Sequence, residues 1–71
     1  MIRFLRYSLE KKRRIRAVVL LEGKMLQQPV TVLALNDNSV TMQIGRRKAP
    51  DTLPLSDILS CDYARGDDGS D

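Results

Sequence analysis

Between Val30 and Leu55 the chain reads VTVLALNDNSVTMQIGRRKAPDTLPL, and this stretch restricts the fold more than any other. Val40, Met42 and Ile44 alternate with Ser39, Thr41 and Gln43, a period of two that sends one set inward and the other to solvent. The run ending at Leu35 is cut by Asn36-Asp37-Asn38, residue types that tolerate left-handed backbone and build turns. Gly45-Arg46-Arg47-Lys48-Ala49-Pro50 forms a second, basic turn, and a short strand from Asp51 to Leu55 follows, with Pro54 closing it.

The flanking segments extend this pattern. Ile15 to Leu21 is rich in β-branched residues and reads as a strand. Ile15, Ala17, Val19 and Leu21 share one face. Arg16, Val18 and Leu20 share the other, apolar at two of three positions, so burial on both sides is expected. Glu22-Gly23-Lys24 supplies a tight turn in which Gly23 takes positive φ. The next strand runs from Met25 to Leu35, and Pro29 inside it predicts an edge position or a bulge at Gln28-Pro29. Ser56-Asp57 predicts one helical turn before a last strand, Ile58 to Tyr63. Ahead of all this, residues 2–13 place Ile2, Leu5 and Leu9 at helical spacing, an amphipathic helix that must dock to be stable.

Five short strands behind one helix predict a mostly β fold: an N-terminal α-helix and a five-stranded, strongly bent antiparallel small barrel, SH3-like in architecture. Residues 1–63 form this single domain, and 64–71 read as an acidic disordered tail. At 71 residues the chain buries only about 60% of its unfolded surface, so self-association is expected as a source of further burial. With one Phe, two Tyr and no Trp, the core must be aliphatic.

Composition removes several function classes. A lone cysteine, Cys61, and no histidine leave neither a disulfide nor a zinc ligand set. Cys61 has no base to activate it and reads as a structural thiol. Asp57 and Asp62 read as a cap and a surface residue, not an acid–base pair. No glycine pattern cradles phosphate. The expectation is a non-enzyme with no cofactor and no membrane span. Charges stand where a secretory signal would need an apolar core, which points to the cytoplasm.

Charge is strongly polarised. Residues 1–24 hold eight cations and two carboxylates, and residues 51–71 hold one cation and six carboxylates. Two basic clusters follow as candidate nucleic-acid-binding residues: Arg46, Arg47 and Lys48 on the second turn, and Arg13, Arg14 and Arg16 before and within the first strand. Clustered cations can follow a phosphate backbone, with arginine gripping phosphate bidentately. The bland alternatives are a solvated turn and a helix end whose cations favour its negative pole. Phe4, Tyr7 and Tyr63 read as core or core-edge residues, which favours backbone contact over base stacking. Arg65-Gly66-Asp67 reads as a chance tripeptide.

The run Val19-Leu20-Leu21-Glu22-Gly23-Lys24-Met25-Leu26-Gln27, the N-terminal helix and the Pro54 to Ile58 approach to the last strand resemble the Sm-like small barrels, including the Hfq-type RNA chaperones. The small barrel of WYL regulatory domains is similar in strand order, but the Trp-Tyr-Leu signature is missing here. The Sm-like resemblance implies a homo-oligomer that binds RNA in preference to DNA. Where Hfq-type proteins carry an aromatic-basic-His cluster, this chain has Arg46-Arg47-Lys48. The rival expectation is a protein-interaction or regulatory module that docks on a larger acidic partner without binding nucleic acid.

Overall fold

The computed structural model describes residues 1–69, in the order α1 (Ile2–Lys11), β1 (Ile15–Leu21), β2 (Lys24–Leu35), β3 (Ser39–Ile44), β4 (Asp51–Pro54), a short 3-10 turn (Leu55–Asp57) and β5 (Ile58–Tyr63). The fold is mostly β with one N-terminal helix. Its five strands form one antiparallel sheet in the order β4-β3-β2-β1-β5. The sheet is open: β4 and β5 are its two edges and share no ladder, so strand pairing does not close the expected barrel.

β2 serves two partners in turn. Lys24 to Val30 pairs with β1, and Val30 to Leu35 pairs with β3. Val30 is common to both ladders, opposite Ile15 on one side and Ile44 on the other, and all three are at most 1% exposed. They centre a core of Leu, Ile, Val, Ala and Met to which α1 contributes Leu5. Each such large aliphatic side chain, once buried, contributes about 1.5–3 kcal/mol.

The bulge is not at Gln28-Pro29. Pro29 sits in regular register opposite Arg16, and its carbonyl accepts the Gly45 N–H at 2.8 Å. In an antiparallel ladder a residue's N–H and C=O point to the same side. The donor that Pro29 lacks would therefore face the end of β3, where the ladder stops and none is needed. The register of β2 against β3 shifts between Val32 and Ala34 instead, which leaves Leu33 unpaired and 49% exposed. A second shift, between Val18 and Val19 opposite β5, leaves Leu59 unpaired and exposed.

The helix repairs the first bulge. Ser8 is fully buried; its Oγ accepts the Val32 N–H at 3.0 Å and donates to the Arg13 carbonyl. Leu5 and Ser8, not Ile2, face the core, and Ile2 is 38% exposed. α1 ends two residues earlier than its apolar stripe predicts, because Lys12 turns left-handed (φ 56°) and the Arg13 N–H reaches back to the Ser8 carbonyl. That closure is a Schellman-type end.

The turns differ in how they are made. Glu22 and Gly23 both have positive φ, as in a two-residue type I′ hairpin. The Asn36-Asp37-Asn38 turn uses no left-handed residue; Asn36 Oδ1 accepts the N–H groups of Asn38 and Ser39. Arg16 is exposed and Val18 and Leu20 are only half-buried, so β1 is not covered on both faces. Ser70 and Asp71, assigned by sequence to the acidic tail, lie outside the described residues.

Candidate nucleic-acid interface

The six cations singled out by the sequence divide evenly into neutralised and free ones. Arg47 lies on the β3–β4 turn, where Gly45 turns the chain at φ 52° and the Arg47 N–H bonds the Ile44 carbonyl. Its Nε donates to Asp51 Oδ2 at 2.8 Å, and Glu22 Oε1 stands 3.9 Å from its Nη2. The Asp51 carboxylate beside it raises the Arg47 pKa further, so its charge is permanent and already balanced.

Arg16 on β1 donates its Nε to the Tyr63 carbonyl at 2.8 Å and its Nη2 to Asp62, its cross-strand partner on β5, at 3.3 Å. Arg13 donates Nη1 to the Tyr7 hydroxyl at 2.9 Å, and that hydroxyl donates in turn to Asp67 Oδ2 at 2.7 Å. Arg13 is also 3.8 Å from Asp67 Oδ1. The Gly69 N–H and then the Tyr7 hydroxyl hold the Asp67 carboxyl below the usual carboxylate range. Partial burial, followed by the hydrogen bond to Asp67, pushes the Tyr7 hydroxyl up.

Arg14, Arg46 and Lys48 have no carboxylate partner among the described residues. Arg14 and Arg46 line one groove of about 450 Å³, with Gln28, Thr31 and Gln43 between them and Pro29 and Gly45 completing the lining. Among the described residues no carboxylate lines it. Register explains the meeting. Thr31 pairs with Gln43, and Arg14 precedes the Ile15–Val30 pair, so Arg14, Thr31 and Gln43 form a row across three strands. At about 4.8 Å per strand that row is about 10 Å wide. A hollow of similar volume between α1 and the β2–β3 turn contains Glu10 and Asp37 beside Arg6, and so has no net positive lining.

Sequence reasoning therefore named both walls of the groove and missed its floor. The alternation in β3 marks Gln43 as outward-facing, but no local signal says which cation it will sit beside. Partners drawn from distant parts of the chain (Glu22, Asp62 and Asp67) were equally out of reach.

The aromatics form one cluster. Phe4 and Tyr7 meet Tyr63 edge to face at 4.8 and 5.2 Å. A Cβ on Gly69 would lie 2.6 Å from the Tyr63 ring, so the chain after β5 passes against it closely. Cys61 is partly buried, which pushes its thiol pKa up and makes the reactive thiolate scarcer.

Among the described residues no His, Cys, Asp and Glu side chains gather into a metal-binding group, and no helix is long and apolar enough to cross a membrane. Comparison of the chain with protein-family models, with curated proteins and with solved structures finds no match.

Proposed function

We propose that this chain is a non-catalytic small barrel of the Sm-like kind that binds nucleic acid, RNA in preference to DNA, chiefly through the phosphate backbone. One observation carries the reading: Arg14 and Arg46, from separate basic clusters, share a groove that no carboxylate lines among the described residues. Two free guanidiniums on one concavity attract a polyanion and can each grip a phosphate bidentately. Lys48, with no carboxylate partner among the described residues, adds to the field of the same turn. Arg13, Arg16 and Arg47 lend their charge only as far as their carboxylate partners release it. The preference for RNA rests on the order of helix, turns and strands that the chain shares with the Sm-like resemblance.

The test is a titration of the full chain with fluorescent single-stranded RNA and DNA at several salt concentrations. Replacing Arg14→Glu and Arg46→Glu together is expected to weaken binding by about tenfold or more and to lower the slope of log K against log salt by about two. Unchanged affinity in that variant overturns the assignment of the groove.

Two open sheet edges support self-association as part of the same reading, since β4 and β5 each present unpaired backbone donors and acceptors. Sedimentation is expected to give a mass above that of one chain; a monomer at high concentration removes this part. A protein-interaction role is the second reading, favoured by Met25 and Leu59, which are 68% and 44% exposed. No nucleic-acid binding even at low salt selects it.

A further inference from the structure

We infer that the groove between Arg14 and Arg46 does more than hold phosphate: it takes a hydrogen-bond donor from the nucleotide itself, a base N–H or a ribose 2′-hydroxyl. This rests on the nucleic-acid reading above and adds to it the uncharged part of the ligand.

A phosphodiester has no hydrogen-bond donor. Its oxygens only accept hydrogen bonds, so a surface built for phosphate alone should present cations, N–H groups and hydroxyls. The floor of this groove instead carries two carboxamides, Gln28 and Gln43. Gln43 Nε2 donates to the Arg47 main-chain carbonyl. A carbonyl accepts and never donates, so this contact fixes which end of the amide is which. Gln43 Oε1 is left as an acceptor with no partner among the described residues. Beside a phosphate that oxygen is repulsive; a donor, from water or from a bound nucleotide, satisfies it.

Gln28 is the second carboxamide of the groove. A Cβ on Gly45 would fall 2.9 Å from Gln28 Oε1. Gly45 is required for its positive φ; the Gln28 carboxamide beside it is the end of an exposed, flexible side chain that can swing aside. Side-chain amides read base edges because one planar group offers donor and acceptor together. Base donors of this kind are open in a single strand and largely committed to pairing in a duplex. Arg14 and Arg46 then hold the chain while the amides between them face the nucleoside.

The experiment compares the full chain with Gln43→Met, a variant of similar length that has no amide. Three probes of equal length and charge are used: single-stranded RNA, single-stranded DNA of the same sequence, and an abasic DNA chain. The parent is expected to bind RNA, or RNA and DNA, at least about fivefold more tightly than the abasic chain, the worth of about one hydrogen bond. Gln43→Met should erase that margin and leave abasic binding and the salt slope unchanged. RNA binding tighter than DNA assigns the donor to the 2′-hydroxyl; equal binding assigns it to the base. Equal binding of intact and abasic chains by the parent overturns the inference while leaving the phosphate reading standing. A loss that falls equally on all three probes does the same. Failure of all three to bind the parent overturns the phosphate reading and this inference with it. Should Gln43→Met unfold the turn, Gln28→Met replaces it with the same expected pattern.

Discussion

The segment leading into β1 and the β3–β4 turn carry similar cations and are neutralised by different routes. At the turn, the principal counter-charge is local: Asp51 lies four residues after Arg47 and binds its Nε directly. Before and within β1, the counter-charges arrive from the far end of the chain, Asp62 to Arg16 across the β1–β5 ladder and Asp67 to Arg13 through Tyr7. The first kind of pairing is a property of a turn, present whenever the turn forms. The second exists only if β5 and the residues after it are in place. The same ion-pair chemistry is therefore constitutive in one cluster and conditional in the other, and one arginine without a carboxylate partner among the described residues from each, Arg14 and Arg46, lines the shared groove.

The sharpest way to break this contrast is through Ser8, which ties the Arg13 carbonyl to the β2 bulge. Ser8→Ala leaves the buried Val32 N–H without a partner and is expected to cost about 1–3 kcal/mol. Urea denaturation should read that loss, and hydrogen exchange should show the Val32 amide opening while the Arg47 amide keeps its protection. A loss spread equally over both regions would mean that they are one unit, and the contrast would fail.

A smaller effect sharpens the comparison from the other side. Asp67→Asn removes one counter-charge beside Arg13 and should raise affinity for single-stranded RNA about threefold at low salt, with the salt slope steeper by up to about one. Acid does the same reversibly. The folded-state pKa of Asp67 is lowered, so the contacts of Asp67 stabilise the fold fully above the ordinary carboxylate pKa of about 4. That stabilisation is lost as pH falls through the lowered value. An NMR titration following the Gly69 amide should show its midpoint below that ordinary value in the parent. A midpoint at or above it would detach Asp67 from the cluster. Both partners keep solvent contact, so the stability change should stay within the small range of surface ion pairs.

Much of the fold was legible because it is written in local chemistry. Strand positions follow from the period of two in β3 and the β-branched run of β1, and the breaks follow from Gly23, the Asn36 turn and Gly45. Where the reading missed, the cause was always a neighbour far along the chain. Pro29 signals a bulge, yet it fits a regular strand because β3 ends opposite it. The real bulge falls at Leu33, which carries no bulge signal, because Ser8 of α1 is there to take the freed Val32 N–H. Ile2 looks like part of the helix's buried stripe, but the face that docks is set by Leu5 and Ser8. For the candidate site, composition located the cations and could not say which of them were free.

By itself the sequence determined a short helix, five strands, an aliphatic core and a surplus of cations toward its front, since side-chain period, turn chemistry and charge are local properties. Tertiary structure decided that the sheet stays open between β4 and β5, that Arg13, Arg16 and Arg47 are neutralised, and that Arg14 and Arg46 meet across β2. Those outcomes depend on register and on distances between remote residues: a shift of one position would turn Thr31 and Gln43 to the opposite face and part the two arginines.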